Sequence, residues 1–292
     1  MDRLEAMSIL LTVVDAGSLS AAARRLNAPL PTISRKITAL EDHLRLRLFI
    51  RANRSVKLTA PGEAYVAACR RILDNVAEAE RAASGEYSQP KGEIVMTAPL
   101  VFGRLRLMPI VEDFLKTYTQ IRVRVVLTDR SINLIEDHVD LAVRIGPLPD
   151  SELVAVRLGE VRRIVCASPE YFHLRGKPER PDELAAHDVV TFEGLGMERD
   201  WRGHREISVK PRLAVNSVEA ARDAAIAGIG ITRLLSYQAA ETLASGKLEI
   251  ALAAFEPDAW PVHLMHVPQR PLAQKVRAFL DWATPRLKAG LA

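Results

Sequence analysis

Thr32, Ser34, Arg35 and Lys36 follow Pro31 in the run Pro31-Thr32-Ile33-Ser34-Arg35-Lys36, and these residue types hydrogen-bond guanine edges or hold phosphate oxygens. Periodicity organises them. Ile33, Ile37, Leu40 and Leu44 recur at helical spacing as a narrow apolar stripe, which leaves Thr32, Arg35, Lys36 and Ala39, with Ser34 alongside, on a free face. Pro31 suits a first helical turn, where its missing N–H costs nothing. Ahead of it, Ser18 to Leu26 is alanine-rich behind an N-cap serine and carries Ser20, and Asn27-Ala28-Pro29 breaks the run. Two short helices around such a break predict a helix-turn-helix. A lone helix pair of this kind is explained equally well as a small core with a solvated basic side.

The next segment decides between these readings. Leu46, Leu48 and Ile50 alternate with Arg45, Arg47 and Arg51, Ala52-Asn53-Arg54-Ser55 turns the chain, and Val56-Lys57-Leu58 alternates back. This predicts a two-stranded basic wing whose Arg51, Arg54 and Lys57 join the helix in one positive surface, as phosphate binding requires. The nucleic-acid-binding candidates are Ser20, Pro31, Thr32, Ser34, Arg35, Lys36, Arg51 and Arg54.

Charge is distributed accordingly. Residues 1–62 hold ten Lys/Arg against five Asp/Glu and the remainder thirty against thirty-one, so the positive excess behind the net charge of +4 belongs to the N-terminal end. From Thr59 to about Ser84, Tyr65, Ala68, Ile72, Val76, Ala79 and Ala83 alternate three and four apart, a seam for a partner helix. The preceding domain is too small to cover that length, so the helix is expected to dimerise, and a two-fold dimer reads a palindromic site. Ala83 to Gly92, rich in Gly, Ser and Pro, marks a hinge.

These residues resemble the LysR-type transcriptional regulators, whose N-terminal pattern reads AA-x-x-L, P-x-x-S-R, L-E, L-F-x-R and L-T-x-x-G. Here the pieces stand in order as Ala22-Ala23-Arg24-Arg25-Leu26, Pro31 to Arg35, Leu40-Glu41, Leu48-Phe49-Ile50-Arg51 and Leu58 to Gly62. Two positions depart: Leu44-Arg45 replaces a common Leu-Gly, and Leu30 stands where a polar residue often precedes the proline.

Beyond the hinge, strands and helices alternate in an α/β pattern. Strands are expected at Glu93 to Thr97, Arg122 to Thr128, Asp140 to Gly146, Leu153 to Leu158, Arg163 to Ala167, Val189 to Phe192, Arg212 to Val215 and Val262 to Val267. Helices are expected around Phe102 to Leu115, at Ser131 to Asp137, Pro181 to Ala186, Val218 to Ala227 and Ser236 to Ala244. Asp140 to Gly146, Ala167 to Tyr171 and Ala227 to Ile231 also resemble the LysR family, less specifically. The resemblance implies a two-lobed α/β effector domain of the periplasmic-binding-protein kind, with a small-molecule effector bound in a cleft between the lobes and two crossing strands as hinge. The expected architecture is α+β and multi-domain: a winged helix-turn-helix at 1–58, a linker helix and hinge at 59–89, and an effector domain at 90–292. Its first lobe takes about 90–160 and 267–292 and its second about 161–266.

Ligands of open α/β sheets sit beyond the carboxyl ends of strands, where helix N-termini offer free N–H groups. By position the effector-binding candidates are Thr97, Ala98, Pro99, Phe102, Gly146, Phe192, Asn216 and Ser217. It is as fair to read Thr97 and Ser217 as caps and the phenylalanines as core. The resemblance implies a small metabolite, such as a carboxylate or aromatic acid. Arg144, on an apolar strand, must pair with Asp129 or Asp140 or else point into the cleft, and its place inside the strand favours the ion pair.

Other chemistries find no constellation. His263 and His266 would face opposite sides of a strand, neither cysteine belongs to a C-x-x-C, and no nucleophile elbow, P-loop or dinucleotide fingerprint occurs, so no catalytic residue, metal or cofactor is expected. Cys69 and Cys166 are expected as buried free thiols, with thiol redox sensing as the second functional class and a solute-binding or enzymatic two-lobed protein as a distant third. No apolar run spans a bilayer and Met1-Asp2-Arg3-Leu4 lacks signal-peptide character, so a cytoplasmic protein off the membrane is expected. The partners expected are double-stranded DNA at an interrupted palindrome, a small-molecule effector, further copies in a homodimer or homotetramer, and RNA polymerase.

Overall fold

The computed structural model describes residues 2–52, 55–84, 89–192, 211–268 and 272–291, which divide into two units, Met1–Gln89 and Pro90–Ala292. The first unit opens with α1 (Arg3–Ala16), capped by the Asp2 carboxylate accepting from the N–H groups of Leu4 and Glu5 and closed by Gly17 in the left-handed region. Next, α2 (Leu19–Arg25) takes its cap from Ser18, and α3 (Leu30–Leu44) starts with Pro31 in its first turn and buries Ile33, Ile37 and Leu40. These side chains meet Leu10 and Val13 of α1, Ala22 and Ala23 of α2, and Leu48 in one apolar core.

The wing is an antiparallel pair, β1 (Phe49–Ala52) with β2 (Ser55–Leu58). Of the three aliphatic residues expected to alternate inward, only Leu48 is buried; Leu46 and Ile50 are 46% and 51% exposed. The strand begins only at Phe49, so the alternation does not extend back to Leu46.

Glu41 sits on the buried side of α3. Its carboxylate accepts from the N–H of Leu48 at 2.8 Å and of Phe49 at 3.3 Å, and takes an ion pair from Arg47 at 3.0 Å. The Leu48 carbonyl in turn accepts from the N–H of Thr59 at 3.0 Å. Thr59 Oγ1 donates to the Arg47 carbonyl and accepts from the N–H of Gly62, capping α4 (Ala60–Ser84). A Cβ at Gly62 would lie 2.2 Å from the Leu48 carbonyl oxygen, so only glycine lets α4 approach the wing this closely. Gly62, Val66 and Cys69 face the unit's own core, with Tyr65 and Leu73 packed partly against it. Tyr65 thus belongs in part to that core rather than wholly to the outer seam, along which Ile72 stays exposed.

The second unit holds two mixed five-stranded sheets. The first has the order β4 (Ile121–Leu127), β3 (Gly92–Ala98), β5 (Leu141–Ile145), β12 (Trp260–His266), β6 (Val154–Val161). β3 is parallel to β4 and β5, whereas β12 runs antiparallel to β5 and β6. Its helices are α5 (Leu100–Phe102), continued by a π-turn over Gly103–Leu107 into α6 (Met108–Thr117), and the late α10 (Gln274–Ala289). Phe279 of α10 meets Phe114 of α6 edge-on at 5.0 Å, which closes this lobe's core.

The second sheet runs β11 (Glu249–Ala251), β7 (Arg163–Ala167), β10 (Ile231–Leu235), β8 (Val189–Phe192), β9 (Pro211–Val215), with α7 (Pro169–Arg175), α8 (Val218–Ile226) and α9 (Ser236–Ala244). The lobe boundary of the sequence reading needs one correction. β12, assigned there to the second lobe, pairs with β5 and β6 in the first, because Val262 and Leu264 complete the apolar face that α10 covers. The helix expected at Ser131 to Asp137 is also absent. Asn133 Oδ1 accepts from the N–H of Ile135, and Asp137 Oδ2 from that of Asn133, so side chains take the backbone groups a helix would use.

Two substitutions test the first unit. Arg45 closes α3 with φ +54°, a conformation that costs an L-residue about 1–2 kcal/mol and glycine little. Arg45→Gly should therefore stabilise α3 by about 0.5–1 kcal/mol, read as slower native-state amide exchange at Leu40 and its neighbours. Gly62→Ala should destabilise the same amides by more than about 1 kcal/mol; unchanged exchange would show that α4 can move off the wing.

Candidate nucleic-acid interface and effector cleft

The outward side of α3 carries the first candidate site. Pro31, Ser34 and Arg35 are exposed and Thr32 half-buried on its first two turns, with Ser20 exposed on α2. Among the described residues Arg35 holds only a long 3.4 Å bond from Nε to the Pro31 carbonyl, so most of its guanidinium is available. Lys36 is less so, because its ammonium is ion-paired with Glu5 of α1. Lys57 is exposed on β2 and Arg51 stands in β1, while Arg54 lies outside the described residues. In the sequence Glu41 figures only in the Leu40-Glu41 piece of the family pattern with no role of its own, although its place four residues beyond Ile37, on the side of the apolar stripe, marks it as a carboxylate facing inward.

The second candidate is a cleft of about 460 Å³ in the first lobe, at the carboxyl ends of β3, β4 and β5. Thr97, Ala98 and Pro99 line it together with Thr128, Asp129 and Ser131 to Leu134, with Leu148, Pro149, Ser151 and Leu153, and with Arg144 of β5. Thr97 is itself buried, its hydroxyl donating to the Val126 carbonyl at 2.8 Å. Asp129 Oδ1 accepts from the N–H of Leu100 and so fixes the start of α5.

Arg144 departs from the ion pair that the sequence favoured. Its guanidinium donates to the Ile132 carbonyl, and among the described residues no ion pair involves it. Asp140 Oδ2 instead accepts from the N–H of Val95 at 2.8 Å, and Asp129 is turned to Leu100. Burial pulls the Arg144 pKa below the usual guanidinium range.

The other effector candidates lie elsewhere. Phe102 is fully buried, edge-on to Tyr237 of the second lobe at 5.4 Å. Phe192 is buried in the same apolar cluster. Gly146, at φ +106°, turns the chain beside Trp260 and does not line the cleft. Ser217 caps α8 through the N–H of Ala220, with Asn216 exposed before it. Position along the chain found strand ends and helix starts, but not which of them face one cavity.

The segment that walls the cleft continues into contacts with the second lobe. Phe102 touches Tyr237, and Arg104 on the π-turn is ion-paired with Glu219 in the first turn of α8. Both cysteines are free and fully buried, and burial pushes the Cys166 thiol up to about 12 and raises that of Cys69 as well. Reactive thiols need the opposite environment. Among the described residues no single helix is long and apolar enough to cross a membrane, and no group of three potential ligands stands together to hold a metal ion.

Comparison with known proteins gives this arrangement its context. Residues 4–63 match the bacterial regulatory helix-turn-helix protein, lysR family, and residues 88–288 the LysR substrate binding domain. An HTH-type transcriptional regulator of Xanthomonas campestris pv. campestris is 34% identical over 96% of this chain and 84% of its own length. An HTH-type transcriptional repressor of Pseudomonas aeruginosa is 32% identical over 97% and 91%. Among solved structures, CrgA of Neisseria meningitidis, a LysR-type transcriptional regulator, aligns with a TM-score of 0.62 at 31% identity over 97% of this chain and 98% of its own. With its helix-turn-helix and its effector-binding domain, the chain belongs to the LysR family of transcriptional regulators.

Proposed function

We propose that this regulator lays the first two turns of α3 in the major groove of an interrupted palindrome and answers to a small anionic effector held on Arg144. Pro31, Thr32, Ser34 and Arg35 meet base edges, while Ser20, Lys36 and the wing residues Arg51, Arg54 and Lys57 hold the backbone. The linker helix pairs two copies along Ile72, Val76 and Ala79, giving a dimer or tetramer in the cytosol that alters access of RNA polymerase.

One observation carries the effector assignment: a half-buried guanidinium, with a backbone carbonyl but, among the described residues, no carboxylate for partner, lines a cleft that also holds the Thr128 and Ser131 hydroxyls. A carboxylate entering there forms a charge-assisted, fork-like pair and offsets the desolvation that Arg144 already bears. Binding acts on the Thr97–Pro99 wall, and the same segment reaches the second lobe through Phe102 and Arg104, so occupancy biases how the lobes pack and thereby the spacing of DNA-binding dimers.

A thermal-shift screen of small mono- and dicarboxylates should yield a stabilising ligand, confirmed by calorimetry. Arg144→Ala should weaken it by on the order of 10- to 100-fold, leaving ligand-free DNA affinity as it was. Equal affinity in Arg144→Ala would move the effector elsewhere. On DNA, Arg35→Ala should cost about 1–3 kcal/mol on the specific site and little on random sequence. Lys57→Ala should weaken both alike and flatten the salt dependence. Equal losses on specific and random DNA for Arg35→Ala would remove Arg35 from base reading.

A further inference from the structure

Leu30 is the first residue of α3 and is 43% exposed, outside the apolar core that takes Ile33, Ile37 and Leu40 from the same helix. A lone exposed leucine is ordinary on a protein surface. This one stands one turn from Ser34 and adjoins Pro31, itself one turn from Arg35, so it continues the face proposed above to enter the groove. The chemistry of that end is unusual. Pro29 caps α3 without any side-chain bond, and the N–H groups of Thr32 and Ile33 both bond to the Pro29 carbonyl. Pro29-Leu30-Pro31 therefore offers a base pair no side-chain donor or acceptor. What it does offer is an aliphatic side chain.

In the major groove the one apolar group on a base edge is the 5-methyl of thymine. Resting on the reading of α3 as the groove-entering helix, we propose that Leu30 is a specificity-determining residue. It packs against a thymine methyl and so requires an A·T pair at a fixed position in each half-site, next to the base pairs met by Ser34 and Arg35. Recognition there runs through exclusion of water from two apolar groups rather than through a hydrogen bond.

The test uses the full-length protein and random double-stranded DNA. Selection with the wild type should enrich a site with one strongly preferred thymine per half-site, and Leu30→Gln should shift that position toward adenine, whose N6 and N7 a glutamine can bind. In the wild-type site, replacing that thymine by deoxyuridine removes only the methyl. Wild-type affinity should then fall about fourfold per half-site, the equivalent of one methyl's buried surface, while Leu30→Ala binds both forms alike. Random-DNA affinity at low salt should be equal for all three proteins, since Leu30 makes no core contact. Uracil bound as tightly as thymine at every position, or an unchanged site for Leu30→Gln, overturns the assignment of Leu30 and leaves α3 as the reading helix. Loss of random-DNA binding in the variants also overturns it, in favour of a structural role. No enriched sequence for the wild type would sink the groove reading itself, and Leu30 with it.

Discussion

The buried carboxylate of Glu41 and the carbonyl of Leu48 form the junction on which the first unit's geometry depends. The carboxylate gathers two backbone N–H groups at the start of the wing, and the carbonyl takes that of Thr59 and leaves no room for a side chain at Gly62. Three elements from separate stretches of chain, α3, the wing and α4, are thus fixed to one another within a few ångströms. An unpaired carboxylate would be costly at such a depth; here every bond it accepts is also a positional constraint. The exposed face of α3 is rigid because its opposite side is tied down, which is what a surface meeting a regular double helix needs.

In the second unit the corresponding role falls to the chain leaving β3. Within eight residues it supplies a cleft wall at Thr97 to Pro99, an N–H for Asp129 at Leu100, a ring for Tyr237 at Phe102 and a cation for Glu219 at Arg104. The π-turn at Gly103–Leu107 begins in this stretch, and a Cβ at Gly103 would meet the side chain of Leu127 at 2.2 Å, so the segment is packed hard against β4. A cleft and an interlobe contact that share so short a stretch cannot be altered independently.

Much of this was legible in the sequence wherever the signal was local. Ser18 as a cap, Pro31 in a first turn, the stripe Ile33-Ile37-Leu40 and the strands from Glu93 to Ala167 follow from periodicity and capping, which involve neighbours in the chain. What could not be read was pairing at a distance. β12 looks like any alternating strand, and only the need to complete the apolar face beneath α10 assigns it to the first sheet. Phe102 follows the cleft wall by three residues yet is buried edge-on to Tyr237, a partner more than a hundred residues away in the chain. Arg144 was recognised as a charge on an apolar strand, but its partner depended on where Asp129 and Asp140 were spent. Arg45 shows the converse: the helix ends in the left-handed turn that glycine would favour, and the arginine accepts the strain.

The return of β12 and α10 to the first sheet makes the second lobe an insertion within the first. Synthesis proceeds from the N-terminus, and domains fold as they emerge. The helix-turn-helix unit and then the whole second sheet are complete while the first lobe still lacks β12, which separates β5 from β6, and α10. A nascent chain thus acquires its DNA-binding surface well before the lobe that holds the cleft is finished. An interruption of translation near Pro257 would release a polypeptide with an intact winged helix and no closed receptor beside it, a species able to occupy the operator and deaf to the effector.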